Sequence, residues 1–364
     1  MKKPLTVLMM LLSVLALAAC GAGPEEYDDG GKTVGAVSPT DLEEAQEQDG
    51  ALVLPRQEDG VGVYYGSGGG LSRMTFLADD AAIGSLSPAG LVFPEYPEDP
   101  GLPVLKNPWP VSMGGPLYEI SPELQKELEQ ELREYLTLLC GEYDPEQYPI
   151  YYEEYDFSEH LSRIPHVKLD EAVLSAAPGG LSLSLEGGGA ELAARLAAGE
   201  LSQEPLLAAA LDYVGVDDPQ LEHREEYYLN GQVHEYDYAV WQKTEDSREQ
   251  TLNREFRALS AIYLPDGEHL HLSFSRQEYA AAAADLPAVS LSQALDKVER
   301  FFPELDRQQV RARVSYLAHI RDEYLIPCWE LYLPTADRAA DGTTLYIELW
   351  VPTVDTSALP AAAG

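Results

Sequence analysis

Apolar residues change period several times along this chain, and each change predicts an element. An almost unbroken apolar run occupies residues 5–17 and ends in Leu17-Ala18-Ala19-Cys20. Short runs at 51–54 and 61–65, separated by Glu58-Asp59-Gly60, read as strands. The longest amphipathic pattern opens at Ser121-Pro122, with serine as cap and proline at the first helical position. Leu124, Leu128, Leu132, Leu136 and Leu139 then recur at helical spacing, Tyr135 and Leu138 widen the stripe, and Gly141 closes it. Glu127, Glu131 and Glu134 fall off the stripe and are expected to face solvent. Strand-like alternation at 181–185 passes through Gly187-Gly188-Gly189 into helices at 190–198 and 205–214.

After Asp217-Asp218-Pro219 the pattern turns to strands. Segments 225–229 and 233–242 flank Asn230-Gly231, the strongest short hairpin signal in the chain. Segments 256–264 and 269–274 flank Pro265-Asp266-Gly267. In the second of these Leu270, Leu272 and Phe274 share one face, with His269, His271 and Ser273 on the other. A capped amphipathic helix at 290–302 turns Leu291, Leu295, Val298 and Phe302 inward, and strands are expected at 310–316, 324–333 and 343–351. Ala210-Leu211-Asp212-Tyr213-Val214 is echoed by Ala294-Leu295-Asp296-Lys297-Val298. The expected fold class is therefore α+β: tandem modules of helix plus antiparallel sheet, preceded by a mixed region with short strands and one long amphipathic helix. The expected segments are 1–19, an export signal; 20–50, an acidic tether; 51–201, the mixed region; 202–286 and 287–356, two α+β modules; and 357–364, a tail.

The amino-terminal pattern resembles a bacterial lipoprotein signal peptide: Lys2 and Lys3 before the apolar run, then two small residues before a cysteine. The resemblance implies cleavage before Cys20, a lipid on its thiol, and residence on the extracytoplasmic face of a cell membrane. The run has about 13 residues where a spanning helix needs about 20. In the closing region, Ile326-Pro327-Cys328-Trp329 lies within a strand that follows a helix and another strand. That layout resembles PepSY-like modules and YycH/YycI-type regulatory proteins, although those regulators carry a transmembrane helix where this chain has the cysteine. The resemblance implies a non-catalytic role: binding or tuning something at the membrane surface.

Composition narrows the partners. There are 62 acidic residues against 24 basic ones and a formal charge of −38. Such a chain repels nucleic acid, whose binding needs basic side chains against phosphate. It favours a cationic peptide or a membrane protein with a basic face. Hydrophobic residues at 45% suffice for a folded core.

Candidate chemistry is sparse. Gly66-Ser67-Gly68-Gly69-Gly70 lacks the lysine and hydroxyl of a phosphate loop and reads as a hairpin loop. His269 and His271 share a strand face, with His223 and His234 in preceding strands, but no metal-binding spacing accompanies them. No cofactor, metal or catalytic residue is assigned. Trp109, Tyr151, Tyr152, Tyr155, Trp241 and Trp329 are the candidate ligand-facing aromatics. Cys140 and Cys328 are a candidate disulfide in an exported chain, with two separate core thiols as the simpler reading. The main alternative function is an extracellular hydrolase acting on wall polymer or glycan through paired carboxylates, of which Glu153 and Glu154 are the most tempting.

Overall fold

A computed structural model describes residues 46–48, 51–53, 64–65, 75–78, 87–88, 100–112, 115–116, 120–157, 160–228, 233–265, 268–282, 286–301, 305–317, 323–338, 344–356 and 359. The signal sequence, Cys20, most of the expected tether, the Gly66–Gly70 tract, the Asn230-Gly231 and Asp266-Gly267 turns and nearly all of the tail lie outside the described residues. The chain is mixed α+β with five α-helices among the described residues and antiparallel strand pairing. None of these helices is long and apolar enough to cross a membrane. Two compact units emerge, each discontinuous in sequence.

The first unit comprises Trp109–His223 and Glu235–Glu278. Its elements are α1 (Pro122–Cys140), β1 (Tyr151–Phe157), β2 (His160–Lys168), β3 (Ala172–Ala177), β4 (Gly180–Glu186), α2 (Gly189–Ala197), α3 (Pro205–Val214), part of β5 (Pro219–Tyr228), most of β6 (Val233–Gln242), α4 (Ser247–Phe256), β7 (Ala258–Leu264) and β8 (His269–Phe274). Antiparallel pairings run β1 to β2, β2 to β3, β3 to β4, β4 to β8, β8 to β7 and β7 to β6. This sheet crosses residues 201–202, because β4 lies directly against β8.

Helix α1 begins as its sequence dictates. Ser121 Oγ accepts a hydrogen bond from the Leu124 N–H at 3.2 Å, and Gly141 closes the helix at φ 81°. Leu128, Leu132, Tyr135 and Leu136 are buried. Tyr135 donates to the Leu206 carbonyl on α3 and packs its ring 5.0 Å from Phe274. Leu138 departs from the expected stripe and is exposed. One residue turns a helix by about 100°, so the buried stripe reaches Leu139 and leaves Leu138 on the flank. Glu134 and Glu131 also depart from a plain solvent face. Glu134 grips Arg276 with two bonds of 2.7 Å, and that guanidinium lies 4.2 Å from the centre of the Tyr213 ring. Burial raises the Glu131 carboxyl pKa, an effect its bond to Tyr213 only partly offsets.

Helices α1, α2 and α3 cover one face of the sheet, over Leu174, Leu183, Leu272 and Phe274. Helix α4 has little apolar periodicity, and its start is set by Asp246, whose carboxylate accepts from the Arg248 and Glu249 N–H groups.

The second unit includes Arg224–His234, the closing segment from Tyr279 and the short strands before Pro108. It contains α5 (Leu291–Phe301), β9 (Arg311–Leu317), β10 (Tyr324–Arg338) and β11 (Thr344–Pro352). Strand β10 pairs antiparallel with β9 on one side and β11 on the other. Gln46–Gln48 and Ala51–Val53 form a hairpin that joins β11 through Tyr64–Tyr65, so strand structure begins before the expected residue 51. Thr75–Ala78 also pairs with β11. Trp329, Leu331 and Leu333 of β10 are buried together with Leu291, Leu295 and Val298 of α5. The Trp329 indole donates to the Val289 carbonyl at 2.8 Å, tying the start of α5 to this face.

Candidate functional site

In the first unit the helices take one sheet face, so strand alternation sends every second side chain to the other. The register lines up His166, Ser175, Ser182, Ser273 and Ser260 across β2, β3, β4, β8 and β7. A second row holds Lys168, Val173, Ser184, His271, Ile262 and Asp237. Hydroxyls and imidazoles bond within and between these rows. Ser175 Oγ lies 2.6 Å from His166 Nδ1; Ser184 Oγ lies 2.9 Å from His271 Nδ1, and Ser273 Oγ 3.2 Å from His271 Nε2.

The two imidazoles are kept neutral by their surroundings. Burial depresses His166 to about 4, against a smaller opposing pull from Glu153. Burial likewise depresses His271 to about 4. His269 and His271 share a strand face as expected, and His271 is half-buried there between Ser184 and Ser273. His223 stacks on Tyr238 with ring centres 4.8 Å apart. Among the described residues no three His, Cys, Asp or Glu side chains gather as metal ligands.

The polar face leads to β1, which pairs with β2 alone among the described residues. Tyr151 stacks on His166 at 5.5 Å, and Tyr152 on the opposite face donates to Glu129 of α1 at 2.6 Å. That bond is the main reason the Glu129 carboxyl sits below its usual range. Tyr151 and Tyr152 are nevertheless 37% and 40% exposed. Glu153 and Glu154 sit opposite Ile164 and Arg163, so they too point to opposite faces. Glu154 is bonded by both the Nε and Nη2 groups of Arg163. These adjacent carboxylates therefore cannot flank one scissile bond.

The other candidate residues are dispersed. Trp109 is half-buried. Trp241 is 4% exposed and Trp329 fully buried, so both serve cores rather than a ligand-facing surface. Tyr155 belongs to β1, but its side chain lies outside the described residues. Cys140 is free and exposed; Cys328 is free and buried.

The second unit contains a charged cluster that sequence reasoning missed. Arg313 and Glu330 are direct cross-strand partners, as are Tyr332 and Glu348. Arg313 holds Glu330 through Nε and Nη2, both at 2.8 Å, and Tyr332 donates its hydroxyl to the same carboxylate. Arg224 bridges Glu330 at 3.5 Å and Glu348 at 3.3 Å. Burial first, and Glu330 second, push the Glu348 carboxyl far above the ordinary carboxylate range. Glu330 is enclosed, with its side chain 3% exposed. The available signal was opposite charge at period 2 on successive strands: Arg311 and Arg313, then Glu330, then Glu348. Its closed bonding makes this cluster a structural tie.

Comparison of the chain with protein-family models, with curated proteins and with solved structures gives no match.

Proposed function

We propose that this is an exported protein, lipid-anchored through Cys20 on the outer face of a bacterial membrane, that binds a partner without transforming it. The observation that carries the binding reading is the adjacent pair Tyr151 and Tyr152. They are two of only three large hydrophobic side chains exposed among the described residues, the third being Leu138. Exposed aromatics on a rigid sheet are a common basis of recognition. The anchor reading rests on Lys2, Lys3, the apolar run and Leu17-Ala18-Ala19-Cys20.

The finer fold reading, PepSY-like modules akin to YycH/YycI-type regulators, is supported by two occurrences of a helix followed by antiparallel strands. These are α3 with β5–β8 and α5 with β9–β11. Helix α4, inserted between β6 and β7, has no counterpart between β9 and β11 among the described residues and weighs against a strict duplication. The hydrolytic alternative loses its best sequence candidate, because Glu153 and Glu154 diverge.

A photo-crosslinking phenylalanine analogue placed at Tyr151 on the membrane-anchored protein tests the binding reading. It should yield a discrete adduct that the same analogue at Leu138 does not. Matching adduct patterns from both positions would contradict it.

A further inference from the structure

The polar face of the first unit's sheet carries a straight rank of side chains that begins at an exposed aromatic ring. Cross-strand register sets Tyr151, His166, Ser175, Ser182, Ser273 and Ser260 in line on β1, β2, β3, β4, β8 and β7. Strands lie about 4.8 Å apart, so the rank runs about 24 Å from Tyr151 to Ser260. Both ends are open: Tyr151 is 37% exposed and Ser260 is exposed. Between them His166 and Ser175 are buried, and Ser182 and Ser273 are half-buried.

The chemistry of this face selects its occupant. In the neighbouring row Val173, Ser184, His271 and Ile262 lie between Lys168 at one end and Asp237 at the other. Across β3, β4, β8 and β7 the two rows therefore present hydroxyls, apolar side chains and one imidazole that burial keeps neutral. They carry no formal charge there, within a chain of net charge −38. An ionic partner finds no counter-charge on these four strands, and an apolar surface would strip water from the hydroxyls without replacing its bonds.

A ligand that is itself rich in hydroxyls replaces them. Ser184 and Ser273 each bond His271 once, and Ser260 donates to the Ser273 carbonyl at 3.4 Å. A hydroxyl has one donor and two acceptor sites, so each of the three keeps capacity for a ligand group that both donates and accepts. Tyr151 supplies the apolar complement. Its ring, stacked on His166 at 5.5 Å, is held at the head of the rank, where it can meet the C–H side of a sugar ring.

We propose that this face binds an extended, uncharged oligosaccharide laid across the strands, with one sugar against Tyr151 and the next ones hydrogen-bonded along Ser182, Ser273 and Ser260. The inference rests on the reading of the protein as one that binds without transforming, and names the ligand class.

The test is calorimetric titration of the folded full chain with the β-1,4-linked hexamers of glucose and of N-acetylglucosamine, and with a galacturonate hexamer as the acidic comparator. The expected result is saturable binding of at least one neutral hexamer that added salt leaves unchanged. Tyr151→Ala should weaken it by about tenfold or more. Ser260→Arg should do the same while its urea midpoint stays at the parental value, because residue 260 is exposed and the longer side chain obstructs the rank. No saturable binding of either neutral hexamer, binding of the acidic hexamer alone, or binding undiminished by Ser260→Arg would overturn the proposal. A concentration-dependent dimer that Ser260→Arg abolishes would make a second copy the occupant and overturn it as well. The photo-crosslinking comparison of Tyr151 with Leu138 reads a partner of any class, so the broader binding reading can stand where the hexamers fail.

Discussion

Replacing Glu330 by alanine should destabilise the second unit by about 3–5 kcal/mol, the usual cost of breaking one side of a buried ion pair. Glu330 accepts from Arg313 twice and from Tyr332, and lies within reach of Arg224. Alanine would leave two guanidinium groups with Glu348 as their remaining carboxyl in this cluster. That carboxyl is itself held toward its protonated form by burial and, secondarily, by Glu330. Equilibrium urea denaturation should show the loss. The double change Arg313→Met with Glu330→Leu should recover much of it, since an apolar pair of similar volume avoids desolvating both charges. If Glu330→Ala unfolds at the same urea concentration as the parent, the cluster is not the tie described here.

Acidification should weaken the first unit through His166 and His271 before ordinary carboxylates titrate. Both have folded pKa values near 4, against an ordinary value of 6.5. The unfolded chain therefore binds the extra protons, and the stabilising contribution of each neutral ring is lost as pH falls from about 6.5 toward 4. Between about pH 7.5 and 5.5 the loss is up to about 1.4 kcal/mol for the fully buried His166. The raised carboxyl of Glu131 acts in the opposite direction in this unit, taking up a proton preferentially in the folded state. Substitution separates the two effects. His166→Gln should flatten the pH dependence of the urea midpoint, whereas an undiminished slope would place the acid sensitivity elsewhere.

Legibility in the sequence followed how clearly one face differed from the other. Helix α1 was readable because a serine cap, a proline, a leucine stripe and a terminal glycine agree. Strand β8 was readable because Leu270, Leu272 and Phe274 meet the helices while His269, His271 and Ser273 face away. Strands β1 and β2 lacked that contrast. Tyr151 and Tyr152 are both aromatic, yet one stacks on His166 and the other reaches Glu129 on the opposite face. Pro165 is a residue that inner strands normally exclude. It is tolerated because the ladder to β3 starts only at His166, leaving residue 165 paired on the β1 side alone. The hydroxyl–imidazole rows could not be read from sequence, since their members come from five separate strands and meet only through register.

The most direct test of the central claim is the intact mass of the protein extracted from the membranes of an expressing bacterium. The account predicts a chain beginning at Cys20 and carrying diacylglycerol on the thiol, with membrane association lost or the signal left uncleaved in Cys20→Ala. A chain that retains residues 1–19 without lipid, and fractionates identically when Cys20 is alanine, would contradict it.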